Sequence, residues 1–148
     1  MYAKPFMRIR KASLEDAQRI AALSGQLGYP TRTEAARSRL VDLARDAYHA
    51  IFVAESESGV AIGWVHVFKT ERVLCEPFAE IGGLIVDEDH RCKGVGLALL
   101  DRSEAWARQT GCSAVVVRSN VIRARAPGFY HGAGYALSKK QNVFQKSL

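Results

Sequence analysis

The sequence predicts an α/β fold: a mixed sheet with helices on both of its faces. Three observations carry that expectation. "AIFVAE" and "VAIGWVHVFK" flank "SESG", the signature of two antiparallel strands joined by a hairpin, and "AEIGGLIV" follows with a third strand pattern. Helical stripes with capping residues lie both before and after this run. "CSAVVVRS" is an unbroken apolar stretch, as expected of an interior strand covered on both faces. The predicted order is β-α-α-β-β-β-α-β-α-β-β.

Each element has its own local reason. "FMRIRKA" alternates apolar and charged residues and reads as a first strand with one wet face. Ser13 with Asp16 makes a capping box, and Ala17, Ile20, Ala21, Leu23 and Leu27 form the stripe of a helix that Gly28 stops. Thr31 with Glu34 makes a second box, opening a helix to about Ala47. Gly82 and Gly83 interrupt the third strand of the hairpin series, where a bulge or a close backbone approach is expected. A helix from about Lys93 to Gln109 stops at Gly111, with Leu97, Leu99, Leu100 and Trp106 among its expected buried residues. A short helix spans about Pro127 to His131, and "NVFQKSL" closes with strand alternation.

The 148 residues fit one domain spanning 1–148, with no repeat or low-complexity linker. No apolar run reaches the ~20 residues that span a bilayer. The first residues lack the apolar core of a secretory signal, so a cytoplasmic protein is expected. Cys75, Cys92 and Cys112 are scattered, which argues for free thiols, and the four histidines show no ligand spacing, so no metal is expected. Charge divides unevenly along the chain. Residues 1–90 carry 11 Lys/Arg against 13 Asp/Glu, whereas residues 91–148 carry 10 against 2. A basic second half points to a polyanionic partner, either a nucleic acid or a phosphorylated co-substrate.

"VDEDHRCKGVGLALL" is the stretch that decides between them. Strand, glycine loop and helix start together aim free backbone N–H groups at an anion, and Gly94 and Gly96 allow close approach. A dinucleotide fingerprint requires a third glycine where Leu99 stands. A Walker A loop requires four residues between its glycines and then Lys-Ser/Thr, which this stretch lacks. Both nucleotide readings fail.

Arg91, Gly94 and Gly96 do resemble the R/Q-x-x-G-x-G/A motif of the GNAT superfamily of acyl-CoA-dependent N-acyltransferases. A second block, "NVIRARAPGFYHGAGY" from Asn120 to Tyr135, is similar to that family's N-x-x-R-x-x-A-x-x-F-Y-x-x-x-G-F/Y. The two blocks stand in the family's order, and the resemblance covers nearly the whole chain.

This resemblance implies a mostly antiparallel sheet of six to seven strands that splays after the fourth. It implies acetyl-CoA as co-substrate, with pyrophosphate on the amides of Arg91, Cys92, Lys93, Gly94, Val95 and Gly96. The pantetheine arm would lie like an extra strand along Leu84, Ile85 and Val86, with Asn120 beside it. Arg123, Arg125 and Lys93 remain alternatives for the 3′-phosphate. Tyr130 matches the tyrosine that faces the thioester sulfur and is the expected general acid. Glu80 is the leading candidate base, with a water chain as the alternative. Relatives often carry a second acidic residue at the position of Gly82. His66 reads as a structural histidine.

The expected reaction is direct transfer of an acetyl group to a primary amine, of a small molecule by preference, with the acceptor between the first two helices and the 60–80 strands. A peptide amine, a CoA-binding regulator without activity, and a nucleic-acid module are the rival readings. The last leaves the glycine loop unexplained, so no nucleic acid and no membrane partner are expected. A homodimer through the apolar edge of "NVFQKSL" is the expected assembly.

Overall fold

The structure is a computed structural model that describes residues 7–119 and 125–148. Five strands form one sheet in the order β1-β2-β3-β4-β5: β1 Met7–Lys11, β2 His49–Ser56, β3 Ala61–Arg72, β4 Cys75–Val86 and β5 Val115–Val117. The first three pairings are antiparallel, and β4 pairs with β5 in parallel. The helices are α1 Ala17–Gln26, α2 Thr33–Ala44, α3 Val95–Gln109 and α4 Ala126–Gly132. Chain contacts group into two units, Met1–Arg118 with the sheet and α1 to α3, and Ser119–Leu148 with α4.

Pleat alternation gives the first unit two buried layers. One face of β2 and β3 buries Phe52, Val65 and Val67, and α3 covers it with Leu99, Leu100 and Trp106, whereas Leu97, expected in the same layer, faces outward on the helix at 45% exposure. The opposite face carries Val53 and Trp64, packed on Ala17, Ile20 and Ala21 of α1 and Ala36 and Leu40 of α2. Helices therefore lie on both faces, as the sequence predicts. Burying an aliphatic side chain of this kind contributes about 1.5–3 kcal/mol, so both layers are needed to hold a sheet this small.

Local signals set several boundaries. Asp16 accepts the Ser13 N–H at 2.7 Å, the predicted capping box, in a short 3-10 turn that leads into α1. Gly28, with φ 88, ends that helix in the left-handed region. The "SESG" turn closes through Gly59 N–H to Ser56 O at 2.9 Å.

Three expectations are corrected. Thr31 does not cap α2: its hydroxyl donates to Tyr29 O at 3.0 Å, Arg32 stands at the N-cap, and the helix ends at Ala44. The interior strand is only three residues, each half-buried. The sheet has five strands among the described residues instead of six to seven. Residues 136–148 form no strand, with Val143 at 89% and Phe144 at 91% exposure. Alternation alone does not make a strand without a partner for its backbone.

Candidate active site

The site grows from an irregularity in β4. His66 pairs with Gly83 and Val67 with Ile81, so Gly82 is an extra residue and the strand bulges there. The glycines are required sterically. A Cβ on Gly83 would stand 2.8 Å from the Trp64 ring, and one on Gly82 would stand 3.0 Å from His66 Nδ1. Both rings therefore lie directly against the β4 backbone.

The same point ends the pairing with β5. That parallel ladder covers only Ala79, Glu80 and Ile81. From Gly82 to Val86 the far edge of β4 has no ladder among the described residues, which is the expected splay. Leu84 and Val86 are half-buried and Ile85 is buried, so the open edge is backbone flanked by apolar side chains. Such an edge suits an extended ligand carrying amides.

Beyond the edge the chain turns into α3 through the glycine loop. Asp87 organises it, accepting from Arg19 at 3.0 Å and from Gln26 at 3.5 Å of α1, and from the Asp89 N–H at 3.2 Å. Partial burial would raise the Asp87 carboxyl, but these hydrogen bonds outweigh it and hold the group below the usual carboxylate range. Arg91 folds back to donate to Val86 O at 3.2 Å, and Lys93 reaches Asp89 O at 3.4 Å. Cys92 and Gly94 both take left-handed backbone, φ 61 and φ 84. The space over Gly94 is open, with nothing among the described residues within 4 Å of a would-be Cβ. The first backbone bond of α3 runs from Ala98 N–H to Gly94 O at 3.0 Å. The N–H groups of Val95, Gly96 and Leu97 precede it and lie at the positive end of a 15-residue helix. Residues 91–94 are exposed and Val95 is buried, so the loop presents amides outward from an anchored base.

Glu80 lies opposite Phe68, two residues along β3 from His66. Its Oε1 accepts from Arg72 at 3.4 Å and from Arg118 at 3.3 Å. Beside it, His49 and His66 stack with ring centroids 5.2 Å apart, and Phe68 closes the group. His49 Nδ1 and His66 Nε2 are 2.9 Å apart, one shared hydrogen bond. Burial, and then the neighbouring His49, push His66 down to about 4, so it is neutral at pH 7. The Trp64 indole N–H is buried with no hydrogen-bond partner among the described residues.

Tyr130 stands in the second unit, on α4, which carries Pro127 in its first turn. Its ring meets Phe129 and Tyr135 edge-on at 5.1 and 5.8 Å. Asn120 and Arg123 lie outside the described residues. The structure brings Leu84, Ile85 and Val86 together with the 91–96 loop and sets Glu80 just before the opening. Sequence reasoning missed His49 and both arginine partners of Glu80. Counting cross-strand partners back from the "SESG" turn would have set His49 opposite Val67; a register shift between Ala54 and Glu55 sets it opposite Phe68 instead, on the face of His66.

An opened strand edge leading into an amide-lined helix start is the architecture of an acyl-CoA-dependent acyltransferase. The model of the Acetyltransferase (GNAT) family matches residues 14–135, and the chain belongs to that family. It is 26% identical over 144 residues to an aminoglycoside N(6′)-acetyltransferase type 1 of Stenotrophomonas maltophilia, covering 95% of this chain and 93% of the relative. Among solved structures it is similar to an aminoglycoside 6′-N-acetyltransferase of Acinetobacter baumannii, with TM-score 0.85, 20% identity, and 97% and 99% of the two chains covered. It is likewise similar to glucosamine-6-phosphate N-acetyltransferase of Arabidopsis thaliana, with TM-score 0.81, 23% identity, and 96% and 99% covered. The chain is an N-acetyltransferase with acetyl-CoA as co-substrate. No helix among the described residues is long and apolar enough to cross a membrane.

Proposed function

We propose that this chain acetylates a primary amine of an amino sugar of the aminoglycoside kind. The observation that carries this reading is the near full-length relationship to an aminoglycoside 6′-acetyltransferase. Direct transfer in a ternary complex is the proposed course, with residues 1–148 acting as one acetyltransferase domain. The family match crosses the boundary between the two contact units, which supports that assignment.

The roles follow from chemistry and the matched motifs. The amides of the loop from Arg91 through Cys92, Lys93, Gly94 and Val95 to Gly96 hold the pyrophosphate, helped by the dipole of α3. The open backbone of Leu84, Ile85 and Val86 receives the pantetheine amides, and Asn120 bonds the same arm. Tyr130 donates a proton to the departing thiolate, a role open to a phenol that is neutral at pH 7. Glu80, with two guanidiniums on one oxygen, is better suited to orienting this end of the sheet than to collecting a proton.

A cytoplasmic site of action and a homodimer through residues 142–148 complete the proposal. The exposure of Val143 and Phe144 supports the second part. Sedimentation showing only monomers at micromolar concentration would remove it.

The functional test measures CoA thiol release with tobramycin, which carries a 6′-amine, and with paromomycin, which carries a 6′-hydroxyl. Turnover of tobramycin alone is expected. Acetylation of peptide amines with neither antibiotic consumed would refute the reading. Acetyl-CoA binding by calorimetry without turnover of any amine would favour a CoA-binding regulator.

A further inference from the structure

We propose that His66 and His49 form a two-ring proton relay that carries the acceptor's proton from the β4 bulge to solvent beside Asp46. The inference rests on the reading above, because it concerns how the amine of that reaction loses its proton. A primary amine is mostly protonated at neutral pH, with a pKa near 10, and must be neutral to attack a thioester.

Four features place the relay. Gly82 is exposed and has no side chain, and His66 Nδ1 stands 3.0 Å from where its Cβ would be. The β4–β5 ladder ends one residue earlier, at Ile81, so His66 meets the backbone where the edge opens. His66 Nε2 and His49 Nδ1 are 2.9 Å apart, which is hydrogen-bonding distance with one proton between them. His49 Nε2 then lies 3.7 Å from Asp46 Oδ2, on a residue with 54% of its side chain exposed. The groups follow one another from the bulge to the exposed Asp46 carboxylate, the last gap being 3.7 Å.

The protons balance in one arrangement. His66 begins as the Nε2–H tautomer with Nδ1 bare, and His49 begins with Nδ1 bare and Nε2–H facing Asp46. The ammonium proton passes to His66 Nδ1, directly or through one water, while the Nε2 proton moves to His49 Nδ1. His49 is then an imidazolium beside the Asp46 carboxylate, and its Nε2 proton leaves to solvent. The amine lone pair is free to attack. Once product has left, the start is restored by the same path in reverse: His49 Nε2 takes a proton from solvent, the His49 Nδ1 proton returns to His66 Nε2, and His66 Nδ1 gives its proton to water at the open bulge. Because burial keeps His66 from holding a charge, the proton does not rest there but moves on. The charged groups near the pair are Asp46 in the turn after α2 and, on β4, Glu80 with its partners Arg72 and Arg118. Glu80 is thereby occupied, and on β3 the neighbours on this face are the uncharged Trp64 and Phe68.

The test pairs kinetics with direct observation of the rings. With tobramycin and acetyl-CoA, His66→Gln and His49→Gln should each lower kcat/KM about 100-fold at pH 7. The deficit should close to a few-fold near pH 10, where the amine is already neutral, and acetyl-CoA affinity should not change. A loss of equal size at every pH would mean a structural role and overturn the relay. Nitrogen-15 spectra of the histidines in the free wild-type chain decide the matter whether or not tobramycin is acetylated. They should show His66 as the Nε2–H tautomer, uncharged until the pH nears about 4. An Nδ1–H tautomer at His66 would overturn the relay while leaving the acetyltransferase reading untouched.

Discussion

Arg19 of α1 spans two contacts at once, donating through Nε to Ala61 O at 3.0 Å and through its terminal nitrogen to Asp87 Oδ2 at 3.0 Å. One side chain thus ties the helix beside the proposed acceptor face to the start of β3 and to the head of the phosphate loop. Gln26 reinforces the link by accepting the Glu88 N–H at 3.0 Å. Arg19→Met should keep the packing and lose the ties. The pair is partly exposed, so the expected loss of stability is only about 1 kcal/mol. Acetyl-CoA affinity should fall several-fold in calorimetry. An unchanged affinity would show that α1 does not set the loop.

Gly83→Ala should be the costliest small substitution in the sheet. The new methyl would stand 2.8 Å from a Trp64 ring that is itself packed on the α1 and α2 core. Overpacking of this kind costs about 1–3 kcal/mol. Urea unfolding reads it, and a loss below about 0.5 kcal/mol would show that Trp64 has room to shift.

The loop contains a matched pair of opposite substitutions. Gly94→Ala forces an L residue to φ 84 and should cost about 1–2 kcal/mol, although the added methyl meets nothing. Cys92→Gly relieves φ 61 but adds glycine's freedom to the unfolded chain, so stability should change by only about 0.5 kcal/mol. Thermal melts of the two variants distinguish backbone strain from lost contacts. Equal destabilisation by both would refute strain as the cause.

Acid should unfold the chain in two stages. His66 is lowered from 6.5 to about 4, so the unfolded chain binds the extra proton between those values, and stability falls as pH drops from about 6.5 towards 4. His66→Gln should flatten that stage. Burial raises the Asp16 carboxyl, but the Arg10 and Ser13 hydrogen bonds outweigh it and hold the group below its ordinary range. Its contribution is complete above about pH 4 and is lost as pH falls through the lower folded value. Asp16→Asn should cost about 2 kcal/mol at pH 7 and weaken the second stage. Stability measured against pH by urea unfolding checks both, and a curve flat from 7 to 4 would contradict the His66 assignment.

What the sequence made legible was local. The Ser13–Asp16 box, the "SESG" turn, the Gly82–Gly83 irregularity and the glycine loop each lie within a few residues, where turn and cap chemistry speaks directly. The ties that finish the site join distant residues: Arg19 with Asp87, Arg118 with Glu80, and His49 with His66. None of these leaves a pattern in either of its own segments, because register and packing set them. The closing strand failed for the converse reason. "NVFQKSL" has the right alternation, but a strand exists only through its neighbour. Thr31 failed because its hydroxyl found the Tyr29 carbonyl before it could serve α2.

The extra residue in β4 also resets the parity of the strand. Before Gly82 the odd-numbered residues Ala79 and Ile81 share a face with Val67 and Lys69. After it the even-numbered Leu84 takes that side, opposite Val65, while odd-numbered Ile85 joins Trp64 on the other. Removing one glycine here would straighten the strand and exchange no sides: the glycine that remained would pair with His66, and Leu84 and Ile85 would keep Val65 and Trp64 as partners. A deletion one step further on, at Leu84, would instead bring Ile85 opposite Val65 and turn it out of the α1 layer. The bulge is thus the point at which this segment tolerates a change of length, at the cost of the opening it makes.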